Sequence, residues 1–279
     1  MKISTASNES PIYDNTTRGF LALEELRGVF HYRDLIYQLI QRDIVTRYKR
    51  SVLGIAWTLL NPLGTMLVMT IVFSQLFHTV KGYPVYILSG LLAWTLFSQT
   101  TNSSMQQMVW GSALLHRIYM PRAVFAVSAI GTGLVNLILS FIPLIIIMFF
   151  TATPPHRSLL FLPVAILLLA AFSLGIGLLL STISIYFPDA AEMYQVALIA
   201  WMYLTPIIYP AEIIPETYRY WLFHLNPMYY LILIFRQPIY DGSLPSFPML
   251  AMGVGISSLT LIAGWVIFSY KADEFTYRT

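Results

Sequence analysis

The sequence predicts an all-α polytopic membrane protein with six transmembrane helices, an N-terminal amphipathic interface helix and a re-entrant helical hairpin. Of its 279 residues, 57% are hydrophobic and only 10% are charged, whereas a soluble domain of this length carries many more charges on its surface. The mean hydropathy of +0.68 points the same way. The charges gather in short stretches between long apolar segments, because a charge at the bilayer centre costs about 2.5–3.5 kcal/mol.

The N-terminal part of the chain is more polar than the rest. Residues 1–30 mix basic, acidic and neutral side chains, so we expect a loosely ordered cytoplasmic tail. Over 31–50, apolar residues such as Leu35, Leu39 and Ile40 recur at three- and four-residue spacing with polar residues between them. This pattern is typical of an amphipathic helix that lies on the inner membrane surface. No signal peptide is expected, because no short apolar core precedes a small-residue cleavage site.

Six segments are apolar enough to cross a bilayer, which takes roughly 20 residues. They cover residues 52–78, 85–108, 124–150, 158–182, 191–209 and 247–269. Asn61-Pro62 interrupts the first span and predicts a kink there, because proline removes a backbone donor. The second half of the second span is a polar run from Ser98 to Gln107. That half must face protein or water, because lipid cannot satisfy its polar groups.

Residues 210–246 differ from the six spans. Two short apolar runs, Tyr218–Leu225 and Met228–Phe235, flank the Asn226-Pro227 pair. Neither run is long enough to span the bilayer alone. The pattern therefore favours a re-entrant or interfacial helical hairpin, followed by a loop rich in Pro and Gly.

The Lys and Arg residues predict the orientation, because cytoplasmic loops carry an excess of them. Of these 16 residues, 12 fall on the side of the N-terminus: Lys2, Arg18, Arg27, Arg33, Arg42, Arg47, Lys49, Arg50, Arg117, Arg122, Lys271 and Arg278. The other four are Lys81, Arg157, Arg219 and Arg236. Both termini, including the tail at 270–279, are therefore expected in the cytoplasm. Nucleic-acid binding is not expected despite the net charge of +3, since the positive charge lies beside apolar spans.

The sequence argues against an enzyme and against nucleotide binding by this chain. It holds no cysteine, no Gly-rich Walker loop and no HExxH or Ser/His/Asp set, so no cofactor is expected here. The five histidines are scattered, and no metal site is expected. The predicted span cores hold no acid, which argues against an ion-coupled transporter. Asp189 and Glu192 stand at the inner mouth of the fifth span.

Two groups of residues each allow a structural and a functional interpretation. The 18 Tyr, 17 Phe and six Trp residues either anchor the spans at the membrane interfaces or line a path against which sugars stack. Trp57, Tyr194, Trp201 and Tyr203 are the better path candidates, because they lie on spans. Residues 113–122 form either a plain cytoplasmic loop or a coupling helix that docks into a partner protein. Their excess of apolar side chains favours docking.

Several short motifs carry a resemblance to a known family. In the N-terminal block these are Arg42-Asp43, Arg47-Tyr48-Lys49, Ser51, Leu53-Gly54, Trp57 and Asn61-Pro62-Leu63. Further along they are Met120-Pro121-Arg122, Tyr186-Phe187-Pro188-Asp189, Thr205-Pro206-Ile207 and Asn226-Pro227. With these motifs the chain resembles the permease subunits of type-two ABC exporters, in the branch that exports polysaccharides and polyol phosphates. The likeness runs over nearly the whole chain.

The resemblance implies a homodimeric permease in the bacterial cytoplasmic membrane, paired with two separate ATPase subunits that hold ATP and Mg²⁺. It implies export of a lipid-linked glycan, such as polyprenyl diphosphate-linked O-antigen, capsule or teichoic acid, with the re-entrant hairpin on the periplasmic side. Docking to the ATPase would involve Leu114, Leu115, His116, Arg117, Tyr119, Met120 and Arg122. The lipid head would enter past Arg42, Arg47, Lys49 and Arg50. The translocation path would include Trp57, Asn61, Gln99, Asn102, Tyr194, Trp201 and Tyr203.

Two other functions remain open at this point. A type-two ABC exporter of a drug or small lipid would share the same architecture. An integral membrane enzyme acting on polyprenyl lipids would need catalytic acids near the interface, for which Asp189 and Glu192 are the available pair.

Overall fold

The computed structural model of the chain describes residues 21–49, 53–54, 56–78, 80–110, 121–151, 153–187 and 189–271. Within these ranges the chain forms ten α-helices and no β-strand, which confirms the predicted all-α class. The helices are α1 (Leu21–His31), α2 (Arg33–Tyr48), α3 (Ala56–Phe73), α4 (Tyr83–Trp110), α5 (Ala123–Phe150), α6 (Leu162–Tyr186), α7 (Ala190–Leu204), α8 (Glu216–His224), α9 (Pro227–Tyr240) and α10 (Phe247–Lys271). Short 3₁₀ turns cover Arg157–Phe161 and Ala211–Ile213.

Helix α1 lies within the stretch that the sequence predicts to be a loosely ordered tail. Two polar contacts hold it on the bundle. The Trp265 indole of α10 donates to the Ala22 carbonyl at 2.9 Å, and the Glu25 carboxylate accepts from the Ala123 amide at 3.0 Å. The second contact satisfies a backbone donor in the first turn of α5, which has no partner inside its own helix. The prediction of a loosely ordered tail is therefore wrong for residues 21–30. Contacts with distant helices order this segment, and its mixed composition does not indicate them.

Helix α2 occupies most of the predicted interface helix at 31–50. Leu39 on its apolar face is buried in a cluster with Ala123, Val124 and Phe268. The helix packs against α5. Its apolar face is therefore in contact with protein over at least part of its length.

Helix α4 is the central element of the bundle and packs against α3, α5, α6, α7 and α9. In its polar half Thr100, Thr101 and Ser104 are buried against protein, most of the other polar residues are half-buried, and Gln106 is exposed. The hydroxyls of Thr100, Thr101 and Ser104 donate to carbonyls one turn earlier at 2.7–2.8 Å. These three hydroxyls thus find partners inside their own helix, as polar groups must where water is absent.

Four stretches of the described residues are long and apolar enough to cross a membrane: Ala56–Phe73, Ala123–Phe150, Arg157–Tyr186 and Phe247–Lys271. The chain is therefore a polytopic membrane protein. The second and fifth predicted spans do not meet the same requirement for two different reasons. Helix α4 has 28 residues, but its polar half lowers the mean hydropathy. Helix α7 has only 15 residues.

Helix α7 ends at Leu204, although the predicted fifth span continues to residue 209. The cause is the Thr205-Pro206 pair, since the residue before a proline is driven out of the helical region. The carbonyls released by this break are bound by side chains from other helices. Tyr83 and Tyr86 of α4 donate to the carbonyls of Ile208 and Tyr209 at 2.8 and 3.1 Å.

Arg236 of α9 completes this arrangement. Its guanidinium donates to the carbonyls of Pro206 at 2.9 Å and Ile207 at 3.1 Å and lies 3.8 Å from the ring centroid of Tyr86. The side chain is only 2% exposed. The charge pattern predicts Arg236 as one of four cations in outer loops, and this is wrong in one respect, since Arg236 lies buried on α9 and not in a loop. Its charge favours the end of a helix where carbonyls are exposed, so it lies inside the protein and not in a loop.

Residues 210–246 contain the two short helices that the sequence predicts, α8 and α9, on either side of Asn226-Pro227. The Asn226 side chain accepts from the Met228 amide at 3.1 Å and caps α9, with Pro227 at its first position. Helix α9 is largely buried against α4, α6 and α10.

Candidate functional site

A cavity of about 460 Å³ lies between α3, α4 and α5. Its lining includes one residue from α2, Arg47, and one from α7, Met202. The lining residues of α3 are Trp57, Thr58, Asn61, Pro62 and Thr65; those of α4 are Leu91, Leu92, Trp94, Thr95, Leu96, Ser98 and Gln99; those of α5 are Gly133, Asn136, Leu137 and Ser140. The volume is in the range of sites that bind small molecules.

Helical periodicity explains why these residues meet. Trp57, Asn61 and Thr65 are four residues apart and therefore share one face of α3. On α5, Asn136 and Ser140 are also four apart. The cavity thus forms where polar side chains of α3 and α5 lie opposite a face of α4 that carries both polar and apolar residues.

The hydroxyls and the amides of the cavity differ in how they are satisfied. Thr65 donates to the Asn61 carbonyl at 3.1 Å and Ser140 to the Asn136 carbonyl at 2.8 Å, both within their own helices. The side-chain amides of Asn61, Gln99 and Asn136 make no hydrogen bond with any described residue. The free hydrogen-bonding capacity of the cavity therefore belongs to three amides, one from each helix.

The described lining residues carry a positive charge and no negative charge. Arg47 carries the only charge among the described lining residues, and none of them is an acid. Trp57 is 54% exposed, so much of its indole surface is free of protein contacts. The lining combines one cation, one accessible indole and neutral amides.

The structure brings four of the sequence-predicted site residues together here: Arg47, Trp57, Asn61 and Gln99. Asn136 and Ser140 were missed by the sequence reasoning. The signal that could have found them is their spacing, since they recur at four residues within a span that is otherwise apolar. A polar side chain inside a transmembrane span is a functional hypothesis by default.

The other predicted path residues lie outside this cavity. Tyr194 is buried, with its hydroxyl 2.8 Å from that of Thr101. The Trp201 indole donates to the Asn226 side chain at 2.8 Å and its ring meets Phe97 edge-on, with centroids 5.2 Å apart. Both therefore have packing roles inside the protein. Two further path candidates, Asn102 and the 55% exposed Tyr203, also do not line the cavity.

The predicted lipid-head cations divide among three environments. Arg42 is bound to Asp43, with its guanidinium 2.8 Å from the carboxylate. Arg47 lines the cavity, and Lys49 is exposed just after α2. Arg50 lies outside the described residues.

Asp43 is the centre of a polar network that the sequence reasoning did not find. Its second carboxylate oxygen accepts from the Gln107 amide of α4 at 2.7 Å. The side-chain oxygen Oε1 of Gln107 in turn accepts from the Ser128 hydroxyl of α5 at 3.1 Å. This network ties the predicted interface helix to two helices of the bundle.

The predicted docking residues fall mostly outside the described part of the chain. This applies to Leu114, Leu115, His116, Arg117, Tyr119 and Met120. Arg122 is described and immediately precedes α5. The two acids considered for an enzyme occupy the start of α7, with Asp189 at the N-cap position and Glu192 in the first turn. Negative charge at a helix N-terminus stabilises the helix, so both acids have a structural explanation.

Residues 34–240 match the family model described as ABC-2 type transporter. This chain belongs to the ABC-2 type transporter family. The match includes α2 from residue 34 and all of α3 to α9, and with them every residue that lines the cavity. It confirms the family indicated by the sequence motifs.

Curated members of the ABC-2 family resemble the chain along most of its length. It is 31% identical over 254 residues to the O-antigen export system permease protein RfbA of Myxococcus xanthus, with 90% of this chain and 97% of that protein aligned. It is 23% identical to the polysialic acid transport protein KpsM of Escherichia coli, over 84% and 92% of the two chains. It is 21% identical to the capsule polysaccharide export inner-membrane protein CtrC of Neisseria meningitidis, over 80% and 85%.

Proposed function

We propose that this chain is the permease subunit of an ABC exporter that moves a lipid-linked polysaccharide across the cytoplasmic membrane. The observation that carries this proposal is the similarity to the O-antigen permease, which covers 97% of that protein at 31% identity. The polysialic acid and capsule relatives differ in glycan but share polysaccharide transport. The common property is a long, hydrophilic polymer as cargo.

The energy source of this exporter is a separate ATPase. The chain has no Walker loop of its own, and an ABC-2 permease requires nucleotide hydrolysis on a partner. We infer a homodimer of the chain bound to two ATPase subunits, which hold ATP and Mg²⁺. The docking element is residues 113–122.

The topology that fits this function has six crossings and both termini in the cytoplasm. Two crossings need a separate argument. At 1.5 Å per residue, the 28 residues of α4 extend about 42 Å, more than the roughly 30 Å hydrocarbon core. The 15 residues of α7 extend about 22 Å, and the turn at residues 205–209 continues the chain beyond the helix. Helices α8 and α9 then form the re-entrant hairpin on the periplasmic side.

The path for the glycan follows from exposed faces. On α7, Val196, Ile199 and Tyr203 are exposed and spaced three and four residues apart. On α3, Trp57, Leu67 and Ile71 are exposed. We infer that these two faces meet a second copy of the chain and enclose the path. The lipid head enters from the cytoplasmic side past Arg42, Arg47, Lys49 and Arg50.

A deletion strain tests this function. Loss of the chain should leave the lipid-linked glycan in the cytoplasmic leaflet, and expression of the wild-type chain should restore surface glycan. Drug sensitivity with normal surface glycan would instead indicate an exporter of small molecules. A lipid-modifying activity of the purified chain that disappears in an Asp189→Asn, Glu192→Gln variant would indicate an enzyme.

ATPase docking is tested separately by co-purification. Arg122→Glu, or alanine at both Leu114 and Leu115, should lower the amount of ATPase recovered with the permease. Recovery of the ATPase at the wild-type level from both variants would refute the docking role of residues 113–122.

A further inference from the structure

Three side-chain amides in the cavity between α3, α4 and α5 have hydrogen-bonding capacity that the protein does not use. Asn61, Gln99 and Asn136 each carry two N–H donors and one carbonyl acceptor. None of the three amides bonds to a described residue. Asn61 is exposed, Gln99 is half-buried and Asn136 is buried. A buried amide without a partner destabilises a protein, and lipid tails cannot supply one. Leucines of α4 and α5 also line the cavity, which is therefore suited to an occupant with both polar and apolar parts.

Asn136 gives the strongest indication of a binding role. Its side chain is only 7% exposed, and it lies near the middle of α5, a strongly apolar helix. A leucine at this position would suit a transmembrane helix better and would leave no polar group unsatisfied. A polar residue that lies in an apolar helix and makes no stabilising contact there is typical of a functional site.

The chemistry of the lining defines the ligand class. Amides bind hydroxyl groups both as donors and as acceptors. The exposed Trp57 ring offers an apolar face, and the Arg47 guanidinium matches a phosphate in two-point geometry. No acid among the described lining residues repels an anion. A volume of about 460 Å³ accommodates a headgroup and not a polymer.

We propose that this cavity binds the phosphorylated polyol headgroup of a single lipid within one protomer. The phosphate lies at Arg47, and the hydroxyls bind Asn61, Gln99 and Asn136, with Trp57 against the polyol. The inference rests on the proposed function and adds to it a site within one protomer, which shares Arg47 with the proposed entry and Trp57 with the proposed path. The headgroup comes either from the carrier-linked glycan or from a membrane phospholipid such as phosphatidylglycerol.

Ligand binding to the permease–ATPase complex in phosphatidylcholine nanodiscs tests this site by native mass spectrometry. One arm titrates a synthetic polyprenyl diphosphate monosaccharide, and the other titrates phosphatidylglycerol. Gln99→Leu and Asn136→Leu should each weaken binding about tenfold, which corresponds to the loss of about 1.4 kcal/mol. The matched control is Gln106→Leu, on the same helix as Gln99 but outside the lining, and it should leave affinity unchanged.

Asn136→Asp guards against a folding effect, because it keeps the shape of the side chain and adds a negative charge. It should weaken binding of the lipid that occupies the cavity at least as much as Asn136→Leu does, because a carboxyl group cannot supply the two N–H donors of the amide. The arm in which the variants weaken binding identifies the source of the headgroup, and either source supports the site. Wild-type affinity for both lipids in the Asn136 and Gln99 variants, or equal weakening by Gln106→Leu, would overturn it.

The result also separates this inference from the proposed function. If the wild-type chain restores surface glycan in the deletion strain while the cavity variants bind both lipids normally, the cavity site is refuted and the exporter function stands. If the wild-type chain does not restore surface glycan, the exporter function fails whatever the cavity binds.

Discussion

Arg236 offers a sharp test of how the protein stabilises the break after α7. Its guanidinium binds the carbonyls of Pro206 and Ile207 and stacks on Tyr86. Arg236→Lys keeps a positive charge at this buried position, although an ammonium is more strongly hydrated than a guanidinium and is costlier to remove from water. An ammonium cannot reproduce the two-point planar geometry, and one carbonyl loses its partner.

The magnitude follows from these contacts. An unsatisfied buried carbonyl costs about 1–3 kcal/mol, and loss of the planar stacking on the ring adds about 0.5–1 kcal/mol. We therefore expect Arg236→Lys to lower the free energy of unfolding by about 1.5–4 kcal/mol. Thermal unfolding of the purified protein in detergent measures this. A melting temperature equal to that of the wild type would refute the capping role.

Gly90 provides the matched partner for a double-mutant cycle. A Cβ at this position would collide with the Arg236 guanidinium, so Gly90→Ala alone should cost about 1–3 kcal/mol. In the Arg236→Lys background the smaller ammonium leaves room for the methyl group, and the cost should be smaller. Additive effects of the two substitutions would contradict the contact.

Three further substitutions test contacts that hold the helices together. Asp43→Leu removes the acceptor of the Gln107 side-chain amide and should lower the free energy of unfolding by about 1–3 kcal/mol. Asp43→Asn should lower it less. A melting temperature of Asp43→Leu equal to that of the wild type would refute the network. Gly264→Ala places a methyl group against the backbone of Gly175 and should cost about 1–3 kcal/mol by thermal unfolding; an unchanged melting temperature would contradict this close approach. Tyr194→Phe removes the hydrogen bond to Thr101 and should lower the free energy of unfolding by about 1 kcal/mol without impairing glycan export. Loss of export in a variant that folds normally would show that Tyr194 belongs to the translocation path.

The long helices could be predicted from the sequence because their apolar length is a local property. The end of α7 could not, since apolar residues continue beyond Thr205 and only the proline opposes a longer helix. The exposed carbonyls are stabilised by Tyr83, Tyr86 and Arg236, which are distant in the sequence. Hydropathy does not report such partners.

The sequence also predicts some of the site residues correctly and others not. Trp57, Asn61 and Gln99 share the cavity with Arg47, but Tyr194 and Trp201 pack inside the protein. Their seven-residue spacing correctly indicates a common helix face, and both contact α4. Spacing alone does not reveal whether that face meets a neighbouring helix or an open path. That depends on which helices surround α7.

Reconstituted transport tests the central claim most directly. The permease and its ATPase are placed together in vesicles that contain a labelled lipid-linked glycan, and the fraction of glycan that becomes inaccessible to an added glycosidase is measured over time. The account predicts transfer that requires ATP, the ATPase and this chain together. No transfer under these conditions, or transfer by the chain alone under an ion gradient, would contradict it.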